Sequence, residues 1–371
     1  MVKISVILRT RRFPKETQDV RNSVSRFDIW KNNPNLLDNP LVDNKFKELY
    51  KQCVAPSRDL FEMTMKSFEL QSFKDFELII VHPDADKLDL EIFKEYKDKV
   101  NLKLVKNKYS PWLELDDKRF IFAGSTNTGV IWADGQIIHV INDNTLYPKN
   151  YLKEVEFLYK LQKLAAPPRI EYSYTVKEKY DKLKEEFGIW QEFAYPILKT
   201  YNYPAGSPKA SYNDWSAWWG YGFTFDLNEL LYINGYNEDL DGGSADDDYD
   251  YWARLSQITR FRPAQMVNEL YTIRSRRGEA FINPPKTSYN PRSNRLLLQL
   301  MNHHPKPKFI IANETRPSRE LFDSYKEEYM KTRKEELDKY YDLTMKVPTF
   351  DLKELRGKRK DNPIECGEMI L

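Results

Sequence analysis

Cysteine is scarce: Cys53 and Cys366 are the only two in 371 residues, too few for a disulfide framework. Cys366 lies in a polar C-terminal stretch, so the pair points to a reducing compartment and offers no metal site. No run approaches the ~20 apolar residues of a membrane span. The opening Met1-Val2-Lys3-Ile4-Ser5-Val6-Ile7-Leu8 is apolar over too few residues for a secretory signal and lacks a small-residue cleavage pattern. The expectation is a cytoplasmic protein, soluble or at most peripheral to a membrane. Net charge is nearly absent too, since 58 basic and 56 acidic side chains leave +2, which argues against a general nucleic-acid coating protein. Only local basic groups, Arg9 with Arg11 and Arg12, and Arg274 with Arg276 and Arg277, are placed to meet phosphates. Internal repeats and low-complexity tracts are missing. Of the few histidines, the adjacent His303 and His304 precede Pro305 and point apart on most backbones, which reads as a surface loop.

What is present is aromatic and apolar: 41% hydrophobic and 14% aromatic residues, with 24 Tyr and 20 Phe. That is enough for a globular core of one large domain or two ordinary ones, with aromatic faces able to stack on flat ligands. Short β-branched runs at residues 4–8, 76–81, 102–105 and 137–141 read as buried parallel strands, with helices at 59–71 and 126–132 between them. Residues 13–56, rich in Asn, Pro and charge, are too long for an ordinary connection and are expected to form a surface excursion or a lid. After Pro148 the texture changes. Residues 151–164 read as helix, 172–208 as Tyr-rich and irregular, 215–227 as an aromatic stretch punctuated by Gly220 and Gly222, 317–346 as charged helix, and 352–360 as a basic tail ending a helical extension.

The densest chemical signal is Gly242-Gly243-Ser244-Ala245-Asp246-Asp247-Asp248-Tyr249-Asp250, with four carboxylates in five positions before an amphipathic helix marked by Tyr251, Leu255 and Ile258. A helix cap uses one or two acidic residues. The surplus, behind a glycine turn, suggests a loop delivering a carboxylate to a cleft.

In chain order, Ile4-Ser5-Val6-Ile7-Leu8-Arg9-Thr10, Ser67 to Gln71 followed by Phe76-Glu77-Leu78-Ile79-Ile80-Val81, Asn127-Thr128-Gly129, Asn142-Asp143-Asn144 before Pro148, Asn234-Gly235-Tyr236-Asn237-Glu238, and Asp247-Asp248-Tyr249-Asp250 before Arg254 resemble the motif series of the inverting GT-A glycosyltransferases. The likeness is to family 2 of that class, with a galactosyltransferase-like acidic helix. It covers about residues 3–255 with the early insertion set aside. The resemblance implies an α/β fold: a GT-A, Rossmann-like mixed sheet flanked by helices, with a helical C-terminal extension. The GT-A domain would span 1–265, divided into a nucleotide-sugar half, 1–148, and an acceptor half, 149–265, with 266–371 beyond it.

The resemblance further implies a hexosyl- or pentosyltransferase that moves a sugar from a nucleotide-diphosphate donor to an acceptor hydroxyl with inversion. Asp248 falls at the general base and Asp247 at the acceptor-holding position. Arg9, Thr10, Asn127, Asn142, Asp143 and Asn144 fall on the donor side. Where the family has D-D-G-S, this chain has His82-Pro83-Asp84-Ala85-Asp86, so Asp84 or Asp86 is expected to read the base or ribose. The D-x-D is reduced to Asn142-Asp143-Asn144, so Mn²⁺ or Mg²⁺ at Asp143 and Asn144 is expected to be weak, and no late His replaces the missing charge; Arg274 and Arg276 stand there instead. Trp215, Trp218, Trp219 and Tyr221 supply either a stacking wall for acceptor or donor sugar or simply core. A glycan, lipid-linked sugar, protein or DNA acceptor all fit. The alternatives are a transferase acting on a hydroxylated DNA base and an inactive carbohydrate-binding GT-A fold.

Overall fold

The computed structural model describes residues 2–10, 26–114, 121–186, 191–202, 222–241, 247–275, 316, 318–329 and 334–371. In chain order the strands are β1 Ile4–Arg9, β2 Phe76–His82, β3 Leu102–Lys106, β4 Ile137–Asn142, β5 Thr145–Leu146, β6 Lys163–Ala166, β7 Arg169–Tyr174, β8 Gln191–Ala194, β9 Ile197–Asn202, β10 Phe223–Asp226, β11 Arg262–Gln265, β12 Leu270–Ser275 and β13 Glu368–Met369. The α-helices are α1 Arg26–Asn32, α2 Asn44–Leu49, α3 Leu60–Glu69, α4 Glu91–Lys97, α5 Phe122–Trp132, α6 Tyr151–Lys160, α7 Lys177–Glu186, α8 Leu227–Tyr232, α9 Asp247–Leu255, α10 Arg319–Tyr329, α11 Lys334–Lys346, α12 Leu352–Lys358 and α13 Pro363–Cys366.

Every residue of β1 is buried, and such a strand needs cover on both faces, as a parallel sheet with helices on each side provides. The main sheet runs β10-β4-β1-β2-β3-β13, with the inner four strands parallel and both edges antiparallel. Ile4, Val6 and Leu8 face a core built with Phe61, Met65 and Phe68 of α3 and Phe93 and Tyr96 of α4. Ile7, Ile79 and Val81 face the opposite core, with Val130 of α5 and Tyr251 and Trp252 of α9. The chain steps outward from β1 to β2 to β3, then returns through α5 to β4 on the other side of β1. The strand order thus reverses between β1 and β4, and in open α/β sheets the crevice outside the C-terminal ends of the strands at such a switch point is where ligands bind. The mixed α/β architecture, helices flanking the sheet, agrees with the sequence reading.

A second sheet runs β5-β12-β7-β9-β8. It corrects two expectations. Residues 172–208 are not simply irregular, since β7, α7, β8 and β9 occupy much of the stretch; β9 pairs with both β7 and β8, and β12, from later in the chain, pairs with the other edge of β7. The described part of 13–56 is not a lid: Phe27, Trp30, Phe46 and Tyr50 are buried with Tyr172, Ile197, Tyr271 and Ile273 in a core of its own. Phe46 lies 4.6 Å from Tyr172 between ring centroids, and Asp43 accepts from the Tyr172 hydroxyl at 2.9 Å.

Two further boundaries move. The helix read over 151–164 stops at Lys160, because Gln162 turns at φ 56° and residues 163–166 pair with β11. The basic tail at 352–360 is helix α12, with Leu352 and Leu355 buried in the α5 core. Cys366 is likewise buried, its carbonyl accepting from Trp132 Nε1 at 3.0 Å. The segment after residue 265 thus supplies β12 to the second sheet and β13 to the first.

Candidate active site

Parallel register sets Arg9 directly opposite Asn142 and Val81, which brings the first and fourth motif blocks together in the crevice. Arg9 Nη1 donates to Thr126 Oγ1 at 3.2 Å and Nη2 to Asn142 Oδ1 at 3.3 Å. Its guanidinium carbon lies 4.9 Å from the centroid of the Phe122 ring. Arg9 is 3% exposed. Its Nε has no hydrogen-bond partner, and no carboxylate pairs with it among the described residues. Thr10 is buried beside it, its hydroxyl donating to Asp143 Oδ2 at 2.6 Å. Asn144 Oδ1 accepts from Thr145 Oγ1 at 3.3 Å.

Beyond β2, Asp84 pairs with Lys87 at 2.8 Å and Asp86 with Lys106 at 2.9 Å. Lys106 holds the Asp86 carboxyl below the usual carboxylate range. At this sheet edge Asp84 is half-buried and Asp86 exposed, and the turn is shaped by the Asp84 N–H, which donates to His82 Nδ1 at 2.9 Å.

Asn127 requires a correction. It is fully buried, its amide nitrogen donates to Tyr236 O at 2.9 Å and Glu238 Oε1 at 2.8 Å, and its oxygen accepts from Tyr236 N–H at 2.9 Å. It holds the Asn234–Glu238 turn and leaves its amide no role against a donor. Gly129 completes the motif for a packing reason, since a Cβ there would come within 2.5 Å of Ile7 Cγ2 and push α5 off β1.

The turn after Asn234 is a junction that sequence reading did not assign. Lys108 Nζ meets Glu238 Oε2 at 2.6 Å with both side chains buried. Arg316 grips Asp239 through two bonds of 2.8 and 2.9 Å. Burial pushes the Asp239 carboxyl up to about 6 against the pull of Arg316. Asp241 caps α5, accepting from the N–H groups of Ala123 and Gly124 at 2.7 and 2.8 Å. The available signal was the run of acids at 238, 239 and 241, each of which needs a partner once buried.

Helix α9 is docked on this junction by Arg254, which bonds Asp250 Oδ2 at 3.0 Å and the carbonyls of Ile233 and Gly235, each at 2.8 Å. Burial raises the Asp250 carboxyl, opposed by Arg254. Asp247 and Asp248 occupy the first turn, the end away from those carbonyls; their side chains lie outside the described residues, as does that of Arg274. The Arg274 backbone belongs to β12, opposite Ser173, and β12 pairs Thr272 with Thr145 directly after Asn144. Trp215, Trp218, Trp219, Tyr221, Arg276, His303 and His304 lie outside the described residues.

The resemblance implies a divalent metal at Asn142-Asp143-Asn144, and these residues do not fit one. Hard divalent cations favour anionic oxygens, whereas two of the three side chains are neutral amides. The lone carboxylate is engaged by Thr10, and a guanidinium stands on the first amide. Among the described residues no group of three or more His, Cys, Asp or Glu side chains is arranged to hold a metal, and no described helix is long and apolar enough to cross a membrane.

No protein-family model and no curated protein matches the chain. Among solved structures it is similar to TarS of S. aureus. The TarS 1–349 structure in complex with UDP-GlcNAc has a TM-score of 0.41 and 13% identity, covering 93% of this chain and 82% of that one. The TarS 1–349 crystal structure has a TM-score of 0.38 and 14% identity over 73% of this chain. The chain spans 60% of the length of that structure. At such scores the likeness carries no argument about activity.

Proposed function

We propose that the chain is a GT-A type glycosyltransferase that moves a sugar from a nucleoside-diphosphate donor to an acceptor hydroxyl with inversion. One observation carries this reading: motif residues far apart in sequence converge on one sheet edge. Arg9, Thr10, Asn142 and Asp143 meet at the switch point between β1 and β4, and α5, whose first turn covers Arg9, is tied through Asn127 and Asp241 to the turn that docks α9.

In this reading the diphosphate lies in the β1–β4 crevice, and Asp84 or Asp86 meets the nucleoside beyond β2. Asp248, on the first turn of α9, accepts the acceptor proton while Asp247 holds the acceptor. A base opposite the leaving group makes the reaction a single displacement. The reading assigns Arg274 and Arg276 to the donor, and Trp218, Trp219 and Tyr221 to the acceptor; these side chains lie outside the described residues. The test is incubation with a panel of nucleotide sugars in the absence of acceptor, with nucleoside diphosphate as the readout. Release from one donor class is expected; release from none would leave a binding fold without catalysis.

A further inference from the structure

We infer that Arg9 is a resident cation that receives the leaving diphosphate where a divalent metal would otherwise stand; the inference rests on the transferase reading above. A buried guanidinium without a counter-ion is costly. Arg9 has five N–H groups, yet among the described residues its bonds go only to the neutral oxygens of Thr126 and Asn142, and Nε has no hydrogen-bond partner there. The Phe122 face behind it holds the plane of the fork. The result is a cation that no described carboxylate neutralises, at the edge of the sheet where ligands bind.

The amide at position 142 belongs to the same arrangement. An aspartate there would neutralise Arg9 within the protein, whereas the Asn142 carbonyl orients the guanidinium and leaves its charge available. Asp143 is turned to Thr10 instead. A divalent cation beside this group would be repelled by like charge. A diphosphate presents the oxygens that a planar fork binds in pairs. In the transfer, the bond from the sugar anomeric carbon to the β-phosphate oxygen breaks and its electron pair leaves with the diphosphate. The acceptor oxygen bonds that carbon, and the acceptor proton passes to Asp248. Arg9 exchanges no proton and stabilises the charge on the departing oxygens.

The test is calorimetric titration of the full chain with inorganic pyrophosphate, UDP, GDP and uridine, in chelator and in Mn²⁺, for wild type, Arg9→Met and Asn142→Asp. Wild type is expected to bind pyrophosphate and one nucleoside diphosphate in chelator, with Mn²⁺ changing Kd by less than about threefold. Arg9→Met should weaken both by about 30-fold or more, in line with the loss of a charge-assisted pair. Its melting temperature without ligand should hold or rise, because an apolar chain replaces a buried unpaired charge. Asn142→Asp, which keeps Arg9 and neutralises it in place, should weaken pyrophosphate binding about tenfold, so the idea remains testable even without a folded Arg9→Met. Wild-type binding that requires Mn²⁺, binding unchanged in both variants, or no anion binding at all overturns the role of Arg9. Arg9-dependent pyrophosphate binding with no gain from any nucleoside sustains the role of Arg9 and removes the transferase reading.

Discussion

Gly235 stands at φ 69°, and a Cβ on it would lie 2.3 Å from Asn127 Oδ1. Gly235→Ala is therefore expected to cost about 1–3 kcal/mol. By contrast, Gly357 in α12 has nothing within 4 Å, and Gly357→Ala should stabilise by about 0.5–1 kcal/mol through helix propensity. Urea unfolding of both variants checks the pair, and equal effects would mean that the close approach at Gly235 is not tight. The Asn127-x-Gly129 and Asn234 to Glu238 motifs were visible in the sequence, but that one serves to hold the other was not, because spacing along a chain does not name a partner 109 positions away. For Asp248 the expectation is catalytic: Asp248→Asn should slow transfer by about 10²–10⁴-fold, the usual worth of a general base, with donor Kd barely changed. A loss of donor affinity matching the loss of rate would place Asp248 against the donor instead.

At the scale of elements, α1 and α2 test the corrected role of the early insertion. A lid would tolerate truncation of its aromatics, whereas Phe46, with four ring neighbours among Trp30, Tyr50, Tyr172 and Tyr271, belongs to a core. Phe46→Ala should cost about 3–5 kcal/mol, read by chemical denaturation, and a cost under about 1 kcal/mol would restore the lid. The insertion hid this because its helices are too short to display a period amid Asn, Pro and charge. The strands β4 and β10 and helix α6 share another buried group, His139, whose ring nitrogens contact Thr224 Oγ1 and the Tyr151 hydroxyl, each at 3.0 Å. Burial lowers the His139 pKa to about 3. A base with a depressed folded pKa binds protons more readily in the unfolded chain. Its stabilising share is thus complete above the unfolded value of about 6.5 and is lost as pH falls toward 3. Compared with His139→Gln, the wild type should lose about 2–3 kcal/mol more between pH 6.5 and 4.5. Parallel pH profiles for the two proteins would show that His139 does not titrate differently on folding.

For the whole molecule the decisive element is α5, buried from Ala123 to Trp132 although it carries Ser125, Thr126, Asn127 and Thr128. It is enclosed by the main sheet on one side and by α12 and Cys366 on the other, and its polar side chains bond within that enclosure. The last residues also close the β3 edge, with Ile370 N–H donating to Leu104 O at 2.8 Å. Removing residues 352–371 should therefore abolish cooperative unfolding and leave an aggregating chain. A truncated protein with a sharp melting transition within a few degrees of the full chain would mean that this segment is only an appendage.

The sequence by itself determined the parallel strands, the helices between the first of them and the order of the motif blocks, because those follow from side-chain periodicity and backbone geometry acting over a few residues. It also marked the crevice residues Arg9, Thr10 and Asn142 to Asn144 as candidates. Only the tertiary structure decided that the Asn, Pro and charge-rich insertion covers a second sheet, that Asn127 is a brace, that Glu238, Asp239 and Asp241 lock the turn before α9, and that Arg9 reaches neutral oxygens and no carboxylate among the described residues. Burial and charge pairing depend on which groups arrive from distant parts of the chain. A guanidinium's charge is legible in one letter, whereas its neutralisation depends on everything packed around it.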